Sequence, residues 1–481
     1  MKGNDTMTIQ VDIAVLGGGP GGYTAAIRAA QEGKSVAIVE RDRVGGTCLH
    51  RGCIPSKALL RSAEVYQSLL HADTYGVKVD KSGISLDFGA VQSRKEAAVD
   101  QLYRGLQQLM KKHGIQIVHG SGRIVGPSIF SPKSGTLAVE LADGETESVV
   151  SKQLIIATGS RPRILPGLEP DGGNVLNSDD ALRLESLPAS MIIVGGGVIG
   201  VEWASMLTDF GVKVTLVETA SRILPGEDAD VSGALAKALK SRGAVIHTDA
   251  VVMPETLDRH SAGIAVDARI GSATVKLEAE KLLVSVGRVA NVEGIGLENT
   301  DIQVSGGWVK VNGSLQTSEP HIYAIGDVTG GVQLAHAAAH EGIAAVEHIL
   351  GEKTAPPAAH RIPRCVYSHP ETASIGYTEE QARALGHEPK TARLPFAAVA
   401  KAIVQGDTQG FVKVVADSTT GDLLGVHIIG AHATELIAEA ALAQLVDAVP
   451  WEVGASIHPH PSLSEALGEA MLAVDGKSFA F

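Results

Sequence analysis

The sequence predicts an α/β protein with two Rossmann-like βαβ domains and a separate C-terminal α+β domain. Two observations carry this. A strand, glycine turn, helix and second strand occur twice, at residues 11–40 and 191–218. Residues 362–481 mix strand and helix signals and contain no such glycine pattern.

The first copy reads VDIAVLGGGPGGYTAAIRAAQEGKSVAIVE and the second MIIVGGGVIGVEWASMLTDFGVKVTLVE. Gly17-x-Gly19-x-x-Gly22 and Gly195-x-Gly197-x-x-Gly200 each follow an apolar strand and open a helix-period stretch. Such glycines permit a tight turn and let a pyrophosphate approach the helix N-terminus, where N–H groups and the dipole favour anions. Glu40 and Glu218 close the two copies, each 23 residues after the first glycine. There a carboxylate accepts hydrogen bonds from a ribose diol. A single glycine pattern also serves packing alone; two copies with matched acidic residues point to two dinucleotide sites. Glu218 would repel a 2′-phosphate, which favours NAD over NADP at the second site. Arg222 reads as a solvated loop charge.

Three further strand-like runs end in glycine: Leu154 to Thr158-Gly159, Leu282 to Gly287, and Ile322 to Gly326-Asp327. Apolar runs bounded by such breakers suit buried strands with ligand-facing loops at their ends. The Pro- and Ala-rich stretch 353–361 reads as a linker. The expected division is 1–157 and 282–352 for the first dinucleotide domain, 158–281 for the second, and 353–481 for the last.

A chain of 481 residues exceeds one core and suggests roughly three domains. The net charge of −13 disfavours nucleic acid, whose phosphates need a basic footprint. No apolar run approaches the roughly 20 residues that span a bilayer. Met1–Asp5 lacks an apolar signal core, so a cytoplasmic location is expected, with no membrane partner. The first strand begins within a dozen residues, so no N-terminal lipoyl domain is expected.

The three cysteines, Cys48, Cys53 and Cys365, are too few for a disulfide-stapled secreted fold. Cys48 and Cys53 lie in GGTCLHRGCIPSK, directly after the first βαβ copy. A close cytosolic pair beside a nucleotide site is read as redox-active. Zinc is the alternative, but it takes about four ligands and only His50 stands nearby, so no metal is expected. Residues five apart in a regular helix rise about 7.5 Å, more than the roughly 4.4–6.8 Å between Cα atoms that a disulfide tolerates. Bridging Cys48 to Cys53 therefore requires a broken helix, for which Gly52 and Pro55 are suited. Lys57, four residues after Cys53, places an ammonium where it stabilises a thiolate or reduced flavin. Two dinucleotide sites and one dithiol imply a relay with FAD at the first site and NAD at the second, because a flavin exchanges electrons with both thiols and nicotinamide. Cys365 reads as buried and inert, His458 as a turn residue, and His336 and His340 as helix packing.

From about residue 9 to 475 the chain closely resembles the pyridine nucleotide–disulfide oxidoreductases. GGTCLHRGCIPSK, the Ala157-Thr158-Gly159 run, Gly326-Asp327 and His458-Pro459-His460-Pro461-Ser462-Leu463-Ser464-Glu465 carry the resemblance. Ile54-Pro55-Ser56-Lys57 is closer to the lipoamide than to the glutathione branch. The resemblance implies Cys48 as the thiol that meets substrate and Cys53 as the thiol beside the flavin. It implies that Lys57 pairs with Glu202 near the flavin and that Asp327 holds the ribityl region. His460 would be the acid–base catalyst, oriented by Glu465, with the His460–Pro461 bond cis. The family forms homodimers through its last domain, and the catalytic His comes from the partner subunit. The implied activity is oxidation of protein-bound dihydrolipoamide with NAD⁺, with lipoyl domains of acyltransferase or glycine-cleavage H-type proteins as partners. Another family reductase with a small thiol substrate, or a subunit that only docks, is the alternative. The C-terminal Lys477–Phe481 lacks the second redox pair found in mercuric reductases and large thioredoxin reductases.

Overall fold

The computed structural model describes residues 8–127 and 133–479. Met1–Asp5 and the last two residues, on which two of the expectations above rest, lie outside the described residues. The chain separates into two compact units, each assembled from three segments.

The first unit takes residues up to Ser56, Ser93–Arg163 and Arg288–Ala359. Its sheet runs Gln116–His119, Val36–Glu40, Thr8–Leu16, Thr146–Ile156, Thr136–Glu140, Ser121–Val125, with Ile322–Ala324 also on Thr146–Ile156. Thr8–Leu16 pairs in parallel on both edges, Ile13 opposite Val36 and Leu16 opposite Ile156. Strand side chains alternate faces, so Ala14 and Leu16 enter one buried cluster while Ile13 and Val15 enter another. A strand covered on both faces reads as a nearly continuous apolar run, as this one does. Thr146–Ile156 is long enough to serve two partners on its other edge. It takes the antiparallel strand Thr136–Glu140 near its start and the parallel strand Ile322–Ala324 at its end. The last pairing is why a segment from after residue 288 completes a sheet begun at residue 8.

The second unit takes Lys57–Gln92, Ile164–Gly287 and the chain from His360 onward. Its parallel sheet runs Val245–His247, Lys213–Val217, Ser190–Val194, Lys281–Val284, Val175–Leu176. An antiparallel three-stranded ribbon, Ala250–His260, Gly263–Ile270 and Ala273–Ala279, stands beside it. Residues after 360 build an antiparallel five-stranded sheet: Arg364–Val366, Glu371–Gly376, Leu423–Gly430, Phe411–Asp417, Pro389–Pro395. Helices Ala433–Leu445 and Glu465–Ala473 cover it through Ile437, Ala440, Leu467 and Met471 against Val412, Val414, Val426 and Ile428. This is the α+β arrangement expected from the mixed pattern. Among the described residues, no helix is long and apolar enough to cross a membrane.

Candidate active site

The two glycine turns repeat each other closely. Gly17 and Gly195 have φ of +105° and +106°, which glycine adopts freely and residues with a Cβ rarely do. A Cβ on Gly17 would lie 2.3 Å from the Ala157 carbonyl oxygen, and one on Gly195 2.4 Å from that of Ser285. A Cβ on Gly22 or Gly200 would collide with the carbonyl of Gly17 or Gly195 at 2.0 and 1.9 Å. These four glycines are thus required by close backbone approach. The middle glycines differ: a Cβ on Gly19 or Gly197 would meet nothing within 4 Å. Each of these opens a helix, Pro20–Gln31 or Val198–Asp209, that no side chain caps. An open cradle at an uncapped helix start fits a pyrophosphate.

The two glutamates carry a role that spacing did not show. Glu40 accepts hydrogen bonds from Gly18 N–H at 2.7 Å and Asp42 N–H at 2.9 Å. Glu218, buried, accepts from Gly196 N–H at 2.5 Å, Ala220 N–H at 2.7 Å and the Thr219 hydroxyl at 3.1 Å. Each carboxylate pins its glycine turn. Arg222 is not simply solvated: it forms an ion pair with Glu380 at 2.8 Å and reaches the Pro225 carbonyl. The loop charge is thereby committed within its own unit.

Cys48 sits in the short helix Gly46–Arg51, and Cys53 opens the helix Cys53–Leu70. The break falls at Gly52 (φ −148°, ψ −111°), as required for bridging. The Gly52 carbonyl accepts from both the N–H and the hydroxyl of Ser56, at 3.0 and 2.6 Å, starting the second helix. Pro55 falls in its first turn, where a missing N–H costs nothing. The cysteine segment is fastened to the first glycine turn. Gly45 N–H donates to the Gly18 carbonyl at 2.7 Å, and Gly46 lies so close that a Cβ would be 2.7 Å from the Gly19 Cα. Both thiols are half-buried. Tyr23 lies on the helix after that turn, and its phenol pKa is raised by burial and by the Cys48 and Cys53 charges. His50 is bonded to the Val44 carbonyl at 3.0 Å and packs edge-on against Tyr103. Its ring is occupied structurally.

Close by in the first unit, Thr158 and Asn291 exchange two bonds of 2.8 Å, side chain to backbone in each direction. Asp327 accepts from the Ser160 hydroxyl at 2.5 Å, and Arg288 braces Ser160 at its hydroxyl (2.6 Å) and its carbonyl (2.8 Å). Gly159 and Gly326 have φ of +68° each and Gly287 +98°, so the three run-ending glycines are turn residues. His336 and His340 are exposed on the helix Ala335–Ile349, not packed in its interior, because that face belongs to Ala337, Ala338, Ala344 and Ala345.

In the second unit the Lys57 ammonium lies 2.9 and 2.7 Å from the two oxygens of buried Glu202. Tyr367 N–H donates to Glu202 at 3.0 Å, and its ring lies 4.6 Å from the ammonium. Burial, Cys365 and Glu202 push the Tyr367 phenol to about 12. Cys365 is half-buried rather than buried, yet burial, Glu371 and Glu227 push its thiol to about 11. It stays protonated near neutrality and is a poor nucleophile. The His460–Pro461 bond is cis. His460 is bonded through Nδ1 to Glu465 at 2.8 Å, with its side chain 73% exposed. Glu465 also accepts from Ser462 N–H at 2.8 Å, and these partners lower its carboxyl pKa. His458 is no turn residue: it pairs with Glu439 at 2.8 Å in a largely covered position.

Tyr23, Tyr367, Ser160, Arg288 and Glu439 escaped the sequence reading. Each meets its partner through the tertiary fold or carries no spacing signal of its own. Among the described residues no group of three or more His, Cys, Asp or Glu side chains is arranged to hold a metal ion.

Comparison with known proteins matches this architecture along the chain. The pyridine nucleotide-disulphide oxidoreductase model covers residues 11–342, and the dimerisation domain of the same family covers 362–471. A dihydrolipoyl dehydrogenase of Bacillus subtilis is 58% identical over 476 residues, 99% of this chain and 100% of its own. A dihydrolipoyl dehydrogenase of Zymomonas mobilis is 42% identical over 99% of this chain and 100% of its own. The crystal structure of LpdA from Mycobacterium tuberculosis superposes with a TM-score of 0.89 at 30% identity, covering 97% of this chain and 99% of that one. The chain belongs to the pyridine nucleotide-disulphide oxidoreductase family.

Proposed function

We propose that this chain oxidises protein-bound dihydrolipoamide to lipoamide with NAD⁺, as the dehydrogenase subunit of a 2-oxoacid dehydrogenase or glycine-cleavage assembly. Its partners are then lipoyl domains of acyltransferase or H-type proteins, and its location is the cytoplasm. The carrying observation is the placement of Cys48 and Cys53 across the helix break at Gly52, on a segment fastened to the first glycine turn. The chain is an FAD- and NAD-dependent enzyme and carries the family's dimerisation domain, the basis of a homodimer.

We assign FAD to Gly17, Gly19, Gly22 and Glu40, with Thr158, Gly159, Gly326 and Asp327. NAD⁺ is assigned to Gly195, Gly197, Gly200 and Glu218, with Gly287. The open cradles at Gly19 and Gly197 support both assignments. The proposed domain division is 1–157 with 282–352 for FAD, 158–281 for NAD⁺ and 353–481 for the interface, with Thr158, Gly159 and Gly287 lying just across its bounds from the cofactor assigned to them. Lys57, held by Glu202, supplies positive charge that favours a thiolate or reduced flavin.

The protein's own chemistry is thiol–disulfide exchange. A substrate thiolate attacks the Cys48 sulfur of the Cys48–Cys53 disulfide, and Cys53 leaves as thiolate. The second substrate thiolate attacks the substrate sulfur bound to Cys48, which closes lipoamide and releases the Cys48 thiolate. Two electrons have then passed to the enzyme dithiol. His460 of the partner subunit takes the proton of the attacking thiol at Nε2, because Glu465 occupies Nδ1. When bound, FAD supplies the two-electron relay between dithiol and nicotinamide.

The test compares NAD⁺ reduction by dihydrolipoamide with NADPH-driven reduction of glutathione disulfide. The proposal expects the first reaction to dominate. Turnover of glutathione disulfide alone would overturn it in favour of a small-thiol reductase.

A further inference from the structure

We propose that Glu341 is a positioning residue that locks the Gly326–Asp327 turn and so aims Asp327 at the ribityl chain of FAD. The proposal rests on the FAD assignment above. Helix Ala335–Ile349 places Ala338, Glu341 and Gly342 on one face, three and four residues apart. That face makes two contacts. A Cβ on Gly21 would be 3.0 Å from the Ala338 carbonyl oxygen, and one on Gly342 would be 2.6 Å from that of Gly21. Ala338 and Gly342 therefore press directly on the helix that starts at the first glycine turn. On the other side Gly326, at φ +68°, sits against Ala338, where an added Cβ would come within 3.1 Å of the Ala338 Cβ. Glu341 Oε2 accepts the Gly326 N–H at 2.6 Å.

One helix face thus gauges the distance between the pyrophosphate cradle and the turn that carries Asp327. The Asp327 carboxylate is committed at Oδ2 to the Ser160 hydroxyl, itself braced by Arg288. Its backbone is held at the preceding residue by Glu341. Burial and the neighbouring Asp327 charge both disfavour the ionised Glu341, while the Gly326 N–H favours it. An acidic group kept in so unfavourable a place needs a compensating task. Accepting the Gly326 N–H is one that a carboxamide could also perform.

The test follows FAD release from the holoenzyme after dilution, read as the rise in flavin fluorescence. Losing a buried hydrogen bond of this kind corresponds to roughly tenfold in release rate. Glu341→Ala is expected to shed FAD about tenfold faster than wild type. Glu341→Gln, which keeps an acceptor for the Gly326 N–H, is expected to stay within about threefold. If Glu341 acts through Asp327, then adding Glu341→Ala to Asp327→Ala changes the rate less than about twofold. An equal factor in both backgrounds overturns the proposal, as does unchanged release in Glu341→Ala. If Glu341→Ala does not accumulate as holoenzyme, the Gln variant decides, and tenfold faster release from it overturns the proposal. Wild-type protein that binds no FAD would instead refute the cofactor assignment, a separate failure.

Discussion

Replacing Lys57 with methionine removes the charged partner that buried Glu202 has among the described residues. Breaking a buried ion pair from one side costs about 3–5 kcal/mol, because the remaining charge is stranded. Two features place this case at the lower end. The Lys57 side chain is 31% exposed, so water screens part of the interaction. Tyr367 N–H continues to serve one Glu202 oxygen at 3.0 Å. Loss of the ammonium above the Tyr367 ring adds less than about 1 kcal/mol. The net expectation is about 3 kcal/mol, which at roughly 2–4 °C per kcal/mol for a large domain lowers the melting temperature by roughly 6–12 °C. Thermal unfolding of Lys57→Met, Glu202→Gln and the double variant measures it. The double variant has no stranded charge and is expected to recover most of the loss while remaining impaired in turnover. A single variant within about 1 kcal/mol of wild type, or a double variant no better than Lys57→Met, would refute the reasoning.

Further outcomes are expected elsewhere. His460→Gln should slow dithiol oxidation by roughly 10²–10⁴-fold, while reduction of the flavin by NADH changes little. Mixing inactive Cys48→Ser and His460→Gln chains should restore activity once subunits exchange; no recovery would place His460 outside a shared site. Glu218→Gln keeps one acceptor, for the Gly196 N–H, while losing the one that serves the Ala220 N–H and removing the charge, so it should narrow the preference for NADH over NADPH at some cost in stability. Unaltered discrimination would show that the carboxylate charge does not set cofactor choice. With its thiol at about 11, Cys365 should resist iodoacetamide at pH 8, where only a small fraction is thiolate, and react as pH rises towards 11. Peptide mapping of the reduced enzyme should find alkylation at Cys48 and Cys53 first; early modification of Cys365 would contradict its assignment as inert.

Much was legible in the residue order because it is local. Gly22 and Gly200 are required by contacts with the carbonyls of Gly17 and Gly195 within one βαβ unit, and the glycine spacing marked all four positions, although Gly17 and Gly195 are also pressed by the distant Ala157 and Ser285. The helix break at Gly52 followed from the reach of a disulfide against the rise of a helix. Other features depend on contacts between residues far apart in sequence. Glu40 and Glu218 stood at the right spacing for a ribose, but only the folded chain shows them fastening the glycine turns across 22 residues. Arg222 finds Glu380 158 residues away, and His458 finds Glu439 across a fold of the last domain. Ser160, Arg288 and Asp327 form one clamp only because Ile322–Ala324 completes a sheet begun at Thr8. Glu341 left a faint signal, a carboxylate among the alanines of a small-residue helix face. Its partner is a backbone N–H, which no side-chain pattern records. Sequence by itself determined which chemical groups the protein owns and the local turns that present them. Tertiary structure decided which groups meet, because burial and partnership depend on chain segments that spacing cannot bring together.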